Sequence, residues 1–493
     1  MEEMAGKDVA VFAANSFSDY LHGITRDPET APTFAMTGCD PCMIANRLSH
    51  FFDFRGPSIT VDTACSSALT AIHLACQSLR SGDSPYAIVA AAHLNIYPQS
   101  TILYSLSQQV SSTTFYVSLT LTLMNRLLSP EGKCYAFDDR ATGGFGRGEG
   151  AACLVLKPLS AALEAGDHIY TVIKNTGINQ DGRTNAGITV PSGEAQESLI
   201  RSVYASCGLD PSETRYVEAH GTGTAIGDPI EVGAIANIFG KQGTGLEPTF
   251  IGSAKSNFGH LEGVSGLVSV IKTAMMLEKG MLLPNTNFTN SNPKLHLQVN
   301  NLQVLSGIKP WPKSGVRRAS VNNFGIGGSN SHGIFEQAPP RPSQKPSGGS
   351  YIFALSANSK YSCRMQLSQL SAYVRKHPLF FNQTIMEDLA LTISTRRSLL
   401  PWKAVVTASS HTQLVEKLRA ESTTPTRSTK RPLVGLVFTG QGAHWPQMGQ
   451  ELGCYPVFAN SLRKSQATLL ELGATWKLEG KNINCHTISQ VIY

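Results

Sequence analysis

The stretch that decides the fold is Ser58-Ile-Thr-Val-Asp-Thr-Ala-Cys-Ser-Ser67. Its first five residues include the β-branched side chains typical of a strand, and residues 66–79 have the composition of a helix. Residues 86–91 predict a second strand. Because strands alternate with helices along this part of the chain, we predict an α/β fold.

Cys65 lies where the predicted strand ends and the predicted helix begins. A thiol at a helix N-terminus experiences the positive end of the helix dipole, which lowers its pKa and favours the thiolate. Main-chain N–H groups at such a turn can also stabilise an oxyanion. A small buried cysteine that opens a helix is the alternative, and this stretch alone does not decide between them.

Three further motifs carry polar chemistry. They are Glu218-Ala-His-Gly-Thr-Gly-Thr224, Lys255-Ser-Asn-Phe-Gly-His260 and the glycine-rich Asn322-Asn-Phe-Gly-Ile-Gly-Gly-Ser-Asn-Ser-His332. Each also has a structural interpretation, since His220 suits a turn and His260 suits a helix cap. One cysteine with two separate histidines is nevertheless the set that acyl transfer through a thiol requires.

The composition excludes several classes of protein. The chain has 493 residues, of which 41% are hydrophobic and 15% are charged, so it is neither disordered nor a coiled coil or collagen. A net charge of +6 over this length gives no argument for nucleic-acid binding. No apolar run approaches the roughly 20 residues that span a membrane, and the acidic N-terminus is unlike a signal peptide. We therefore predict a cytoplasmic protein without a membrane partner.

The ten cysteines are too sparse for a disulfide scaffold and are expected to be reduced in the cytosol. Cys39-x-x-Cys42 could suggest zinc or redox chemistry, but no second pair with matching spacing follows it. We favour two thiols in a turn around Pro41, and we predict no metal site.

Taken together, the motifs resemble the β-ketoacyl synthase domain of fungal type I iterative polyketide synthases, most clearly over residues 32–335. The resemblance implies a thiolase-like fold, which is a layered α/β/α/β/α sandwich and is usually dimeric. It leans towards the highly reducing subgroup. The other motifs that carry it are Ala45-Asn-Arg-Leu-Ser49, Tyr135-Ala-Phe-Asp-Asp-Arg140, Gly146-Arg-Gly-Glu-Gly150, Asn179-Gln-Asp-Gly182 and Gly227-Asp-Pro-Ile-Glu231.

This resemblance implies a decarboxylative Claisen condensation. Cys65 would accept the acyl chain from a phosphopantetheine thioester on an acyl carrier protein, and His220 and His260 would promote decarboxylation of the malonyl-carrier. No cofactor would reside in this chain, because the carrier protein holds the phosphopantetheine. Lys255 would support His260, and Thr222 and Thr224 would contact the pantetheine arm. Phe324 would act as a gate beside the nucleophile. The oxyanion hole would use the N–H of Cys65 and one near Phe324 and Gly325.

The same comparison implies four segments. Residues 1–337 would form the ketosynthase domain, 338–350 a Pro/Gly-rich linker, and 351–430 a small α/β linker domain of alternating strands and helices. Residues 431–493 would begin an acyltransferase domain, since Gly440-Gln-Gly-Ala-His-Trp-Pro-Gln-Met-Gly449 resembles its opening. The chain contains no Gly-x-Ser-x-Gly, so no acyltransferase activity is expected from it.

Three hypotheses remain open at this point. The first is a ketosynthase module. The second is a non-catalytic fragment or misassembled gene model, because the family's domain starts earlier than Met1 and residues 108–124 look inserted. The third, a free-standing fatty-acid β-ketoacyl synthase, is disfavoured by the linker and the 440–449 motif. The sequence does not specify the starter unit, the chain length or the polyketide product.

Overall fold

The protein is described from a computed structural model that covers residues 4–27, 29–106, 127–184, 187–240, 247–312, 315–340, 349–381, 383–428, 435–437 and 449–475. The apparent insertion at 108–124, most of the predicted linker and the 440–448 motif lie outside these residues. The chain divides into two compact units, Met1–Arg341 and Pro342–Tyr493. No helix in the described part of the chain has the length and apolarity needed to cross a bilayer.

The first unit contains twelve labelled strands and ten labelled α-helices among its described residues. The strands are β1 (Val9–Ala14), β2 (Ser58–Val61), β3 (Tyr86–His93), β4 (Gly150–Leu156), β5 (Thr171–Gln180), β6 (Tyr216–Glu218), β7 (Thr249–Gly252), β8 (Met281–Leu282), β9 (Leu302–Val304), β10 (Lys309–Pro310), β11 (Arg318–Phe324) and β12 (Ser329–Gln337). The helices are α1 (Asp19–Ile24), α2 (Ala35–Cys39), α3 (Cys42–Phe52), α4 (Ser67–Ser81), α5 (Pro98–Leu106), α6 (Leu159–Glu164), α7 (Gly193–Ser206), α8 (Gly227–Ile235), α9 (Lys255–Phe258) and α10 (Ser265–Lys279). The predicted strands at 58–62 and 86–91 and the helix between them are confirmed.

Two sheets with the same pairing pattern organise this unit. The first has the order β2-β1-β3-β4, in which β4 is antiparallel to three parallel strands. The second has the order β5-β12-β11-β6-β7-β9, and its β7-β6-β11-β12 section repeats the directions of the first sheet. The repeated pattern indicates a duplicated α/β half.

The central strand β1 shows why the sheets are covered on both faces. All six of its residues are buried. Phe12 faces the main core with α4, whereas Val11 and Ala13 face Ala45 of α3. A continuous apolar run of this kind is typical of a parallel strand with helices on both sides.

The helices complete five layers. Helix α4 packs against β1 and β3 of the first sheet and against β5 and β12 of the second, while α10 packs on β11 and β12. These two helices therefore lie between the sheets. Helix α3 covers the outer face of the first sheet, and α7 covers the outer face of the second. The predicted α/β/α/β/α sandwich is confirmed.

Close packing between the central helices requires a glycine. A Cβ on Gly266 of α10 would lie 3.0 Å from the main-chain nitrogen of Leu69 in α4 and 2.4 Å from Oδ1 of Asn323. Any side chain at this position would push α10 away from α4 and from the end of β11. Gly266 therefore fixes the distance between α4, α10 and the end of β11, and β11 ends at Phe324, one of the predicted site residues.

The second unit has a three-stranded antiparallel sheet covered by helices. Phe353 and Leu355 of its first strand and Val406 of its second face a common apolar core. The strands and helices predicted within 351–430 are present. They are β13 (Tyr351–Ala357), α11 (Lys360–Lys376), α12 (Gln383–Thr395), β14 (Trp402–Ala408), α13 (His411–Arg419) and β15 (Thr426–Arg427), followed by α14 (Pro456–Glu471).

Candidate active site

Cys65 sits on a sharp elbow between β2 and α4. Ala64 immediately before it has φ +54°, a left-handed conformation that is costly for a residue with a Cβ. Hydrogen bonds hold this turn, because Asp62 Oδ1 accepts the Ala64 N–H at 2.9 Å and the Ser67 hydroxyl donates to the Ala64 carbonyl at 2.6 Å. Cys65 lines a cavity of about 120 Å³ at this elbow.

His220 follows β6 and is fixed by an acid from the neighbouring helix α8. The Glu231 carboxylate accepts the main-chain N–H of His220 at 2.7 Å and that of Gly221 at 2.8 Å. It also accepts the side-chain amide of Asn322 at 3.0 Å. The Gly227-Asp-Pro-Ile-Glu231 motif therefore positions the glycine-rich turn that carries His220.

His260 follows α9 and is bracketed by the Gly146-Arg-Gly-Glu-Gly150 motif. Its N–H donates to the Gly146 carbonyl at 2.7 Å, and its carbonyl accepts the Gly148 N–H at 2.9 Å. The ring centres of His220 and His260 lie 5.6 Å apart with their planes nearly perpendicular. The structure thus brings together two imidazoles that are 40 residues apart in sequence, and both line the cavity of Cys65.

Main-chain donors set the same tautomer in both imidazoles. The Phe324 N–H donates to Nδ1 of His220 at 3.3 Å, and the Glu262 N–H donates to Nδ1 of His260 at 2.9 Å. A main-chain N–H can only donate, so each Nδ1 is the acceptor and each neutral ring carries its proton on Nε2. The site therefore holds two Nε2–H donors.

Burial keeps both imidazoles neutral. It lowers the pKa of His220 and of His260 well below the usual range, and the positive charge of Lys255 lowers both further. Lys255 itself is 2% exposed, and its Nζ has no hydrogen-bond partner among the described residues. Burial lowers the pKa of Lys255, while the charges of Glu218 and Glu231 oppose that shift.

The pKa of the Cys65 thiol differs from the value expected from the sequence. Burial, and next the negative charge of Glu262, raise its pKa to about 12. The charge of Lys255 and nearby main-chain N–H groups lower it only in part. The prediction that the helix N-terminus favours the thiolate is therefore wrong for the resting site, because burial and Glu262 outweigh the main-chain N–H groups.

The expected oxyanion donors need a correction at Phe324 and Gly325. The Phe324 N–H donates to Nδ1 of His220, and the Gly325 N–H donates to the Ser329 carbonyl at 2.8 Å across the β11–β12 turn. The N–H groups that face the Cys65 sulfur are its own and that of Ile326. An oxyanion hole here would use Cys65 and Ile326.

Gly325 is instead required for close approach. A Cβ on it would lie 2.4 Å from the Thr63 carbonyl in the Cys65 elbow, which is closer than any real Cβ contact. The glycine-rich turn can therefore pack directly against the Cys65 loop only with glycine at this position.

The remaining predicted residues also line the cavity. The Phe324 ring centre lies 5.9 Å from that of His220, so its side chain stands beside the donor pair. The hydroxyl oxygens of Thr222 and Thr224 lie 3.2 Å apart, and the Thr224 hydroxyl accepts the Gly227 N–H at 3.1 Å. Their roles as gate and pantetheine contacts remain predictions.

Sequence reasoning assigned no role to Glu262, which is 2% exposed and has φ +48°. Its Oε2 lies 3.9 Å from the Cys65 sulfur and 3.4 Å from the Tyr104 hydroxyl, and its Oε1 lies 3.6 Å from Nε of Arg147. Its position two residues after His260 indicates only that Glu262 lies near that histidine. Its contact with a cysteine 197 residues away was not visible in the sequence.

One group of side chains invites a metal interpretation. Ligand atoms of Cys65, His260 and Glu262 lie within 4.8 Å of one another. However, Nδ1 of His260 accepts a main-chain N–H, so the nitrogen that remains is protonated and offers no lone pair. The donor set therefore does not fit a metal ion. The predicted absence of a metal site stays a prediction.

Comparison with known families agrees with this geometry. The family models described as "Beta-ketoacyl synthase, N-terminal domain", "Beta-ketoacyl synthase, C-terminal domain" and "Ketoacyl-synthetase C-terminal extension" match residues 1–162, 170–289 and 291–406. A crystal structure of ketosynthase twelve from the bacillaene polyketide synthase of Bacillus amyloliquefaciens is 32% identical, with a TM-score of 0.67, covering 85% of this chain and 71% of that one. The chain belongs to the β-ketoacyl synthase family of acyl-transferring condensing enzymes.

Curated relatives come from fungal polyketide synthases. The chain is 45% identical to "Highly-reducing polyketide synthase 1" of Aureobasidium melanogenum, over 99% of this chain and 22% of that protein. It is 43% identical to "Lovastatin diketide synthase lovF" of Aspergillus terreus, over 97% of this chain and 18% of that protein. The chain therefore spans about a fifth of the length of these relatives.

Proposed function

We propose that this chain is the ketosynthase module of a fungal polyketide synthase and catalyses a decarboxylative Claisen condensation. The observation that carries the proposal is a single cavity in which the Cys65 thiol meets two Nε2–H donors, from His220 and His260. A nucleophile together with preorganised hydrogen-bond donors is what acyl transfer and enolate formation both require.

In the first half-reaction, Cys65 would attack the carbonyl carbon of an acyl thioester. The new bond joins the sulfur to the acyl carbon, and the carrier thiol departs. Negative charge develops on the carbonyl oxygen, which the N–H groups of Cys65 and Ile326 could stabilise. The product is an acyl chain covalently held on Cys65.

In the second half-reaction, a malonyl thioester would lose CO₂. The electron pair of the broken C–C bond forms an enolate, whose oxygen accepts hydrogen bonds from Nε2 of His220 and His260. The enolate carbon then attacks the acyl carbonyl on Cys65, and the bond to sulfur breaks. The departing Cys65 thiolate takes up a proton from water, which restores the resting thiol. Neutral imidazoles suit this charge, since each ring holds an Nε2–H that can donate a hydrogen bond to the enolate oxygen.

The partner we propose is an acyl carrier protein that presents its substrates on phosphopantetheine. Thr222 and Thr224 support this choice because their hydroxyls line the cavity wall and could bond to the amides of the arm. The carrier would hold the phosphopantetheine group, and this chain would supply only the contacts. We keep the proposed domain division at 1–337, 338–350, 351–430 and 431–493, together with a cytoplasmic location.

The proposed function is tested with small-molecule mimics of the carrier. The chain is incubated with an acyl-N-acetylcysteamine thioester and malonyl-N-acetylcysteamine, and the products are identified by mass spectrometry. We expect a 3-oxoacyl thioester extended by two carbons, with one CO₂ released per condensation. A folded chain that yields neither this product nor an acylated Cys65 would contradict the proposal.

We further propose a homodimer that forms through the free edge of β2. Among the described residues, β2 pairs only with β1, so its outer row of main-chain groups is unpaired. Ile59 of β2 is 46% exposed, and Phe51 of α3 is 75% exposed. An unprotected strand edge flanked by apolar side chains favours pairing with a second copy.

A charge placed on this edge tests the dimer. Ile59→Lys is expected to convert the protein from dimer to monomer in sedimentation-velocity measurements, because a two-fold interface brings two like charges together. Val155→Lys is the matched control, since Val155 is 71% exposed on β4, the opposite edge strand of the same sheet. A monomeric control with a dimeric Ile59→Lys protein would place the interface on β4 instead.

A further inference from the structure

We propose that Glu262 is the general base of acyl loading, which takes the proton of Cys65 as the sulfur attacks and returns it to the departing carrier thiol. The inference rests on the proposed condensing function. It adds a catalytic residue to a site in which the nucleophile is a protonated thiol.

The geometry places this carboxylate at the sulfur. Glu262 Oε2 lies 3.9 Å from the Cys65 sulfur, within reach of an S–H donor. Its Oε1 has no hydrogen-bond partner among the described residues, although Arg147 stands 3.6 Å away. A buried carboxylate that is not fully satisfied retains the capacity to accept a proton.

The other titratable groups around the sulfur cannot take this proton. In His220 and His260, Nδ1 is occupied by a main-chain N–H and Nε2 already carries hydrogen. The Tyr104 hydroxyl is itself a donor to Glu262. Lys255, as an ammonium ion, can only donate. Glu231 also lines the cavity, but its carboxylate already accepts the His220 N–H, the Gly221 N–H and the Asn322 amide. Among the described residues, Glu262 is the carboxylate within hydrogen-bond distance of the Cys65 sulfur, and it is therefore the acceptor.

The step balances without another reactant. The S–H bond of Cys65 breaks and its proton moves to Glu262 Oε2, while the sulfur electron pair forms the bond to the acyl carbon. The carbon–sulfur bond to the carrier then breaks, and Glu262 returns the proton to the departing thiolate. Glu262 is a carboxylate again when the cycle ends.

Local charges place the titration of Glu262 in a useful range. Burial raises the pKa of its carboxyl to about 7, against the opposing charges of Arg147 and Lys255. A base with this pKa is half ionised at neutral pH, where general-base catalysis is most effective. The titratable and charged groups that face Glu262 are Arg147, Tyr104 on α5, Cys65 on the elbow, Lys255 on α9 and the adjacent His260.

The test separates the two half-reactions in the full chain. Glu262→Gln keeps the shape of the side chain but removes its basicity. We expect this variant to be acylated on Cys65 by acyl-N-acetylcysteamine at least about 100-fold more slowly, which is the size of a general-base contribution. Intact-protein mass spectrometry measures the rate. Decarboxylation of malonyl-N-acetylcysteamine, which uses the imidazole donors, should stay within about threefold. Glu194→Gln, at an exposed acid on α7, is the matched control.

The outcomes are distinguishable. A wild-type chain that neither loads nor decarboxylates would defeat the proposed function. A working wild type with an equally fast Glu262→Gln variant would defeat only the role of Glu262, as would an equal loss in both half-reactions, which marks a structural role.

A measurement on the wild type alone keeps the inference testable if the variant does not fold. The loading rate should rise with pH through about 7 and then level off, following Glu262 rather than the thiol. A rate that climbs continuously towards alkaline pH, as expected for unassisted thiol ionisation, would overturn the inference.

Discussion

Replacing Cys65 by alanine is expected to abolish acyl loading completely and to leave malonyl decarboxylation within about threefold of the wild-type rate. In the proposed mechanism the two effects separate, because the Cys65 sulfur would form the covalent acyl bond, whereas His220 and His260 would stabilise the enolate. Intact-protein mass spectrometry after incubation with an acyl thioester measures the first effect. Release of CO₂ from a malonyl thioester measures the second.

The matched control is Cys76→Ala, which removes a thiol from α4, the helix that follows the Cys65 elbow. Cys76 is buried within α4, does not line the cavity, and has a pKa raised by burial to about 11. This variant should load acyl groups like the wild type, although it loses some stability through the vacated volume. An acyl mass increase that survives in Cys65→Ala would show that another residue is the nucleophile.

The sequence was informative where structure is local. The β-branched run at 59–61 followed by small residues predicts the elbow of Cys65, because strand and helix propensities change over a few residues. The positions of His220 and His260 beside this elbow came from motif resemblance. Neither periodicity nor composition could have shown that residues 40 positions apart share one cavity.

The electrostatics of the site could not be predicted from the sequence. The prediction for Cys65 considered only the helix that follows it. The pKa of the thiol is instead set by burial and by Glu262, which is distant in sequence but adjacent in the fold. The second oxyanion donor, expected near Phe324 and Gly325, was misassigned for a related reason, whereas the Cys65 N–H keeps its expected place. Whether a main-chain N–H is free depends on partners such as Ser329, which takes the Gly325 N–H across the turn. Such pairings exist only once the chain has folded.

Glu262 illustrates the same limit from the opposite direction. Its identity and its place two residues after His260 are plain in the sequence. Its importance arises from three contacts made by separate elements, with Cys65, Tyr104 and Arg147. The sequence around Glu262 does not show that these three residues would surround its carboxylate.

Replacing either imidazole is expected to show whether the two Nε2–H donors act together. His220→Ala and His260→Ala should each slow malonyl decarboxylation by about 10²- to 10³-fold, the usual loss when one oxyanion donor is removed. The double variant should be little slower than the worse single one, because groups that act as a unit are not additive. Acyl loading, whose oxyanion faces Cys65 and Ile326, should fall by less than about tenfold.

The charge state of the imidazoles gives this prediction a second, independent readout. The folded-state pKa values of His220 and His260 lie well below the usual range because of burial and Lys255, so both rings stay neutral above pH 6. Decarboxylation should therefore be independent of pH between about 6 and 8. His73→Gln, at a histidine of α4 that does not line the cavity, is the control. Measured in the Glu262→Gln background, which removes the carboxylate that titrates near pH 7 in the same cavity, a rate that falls as pH rises through 6 to 7 would instead require a protonated imidazolium. Such a result would contradict the tautomers set by the Phe324 and Glu262 N–H groups.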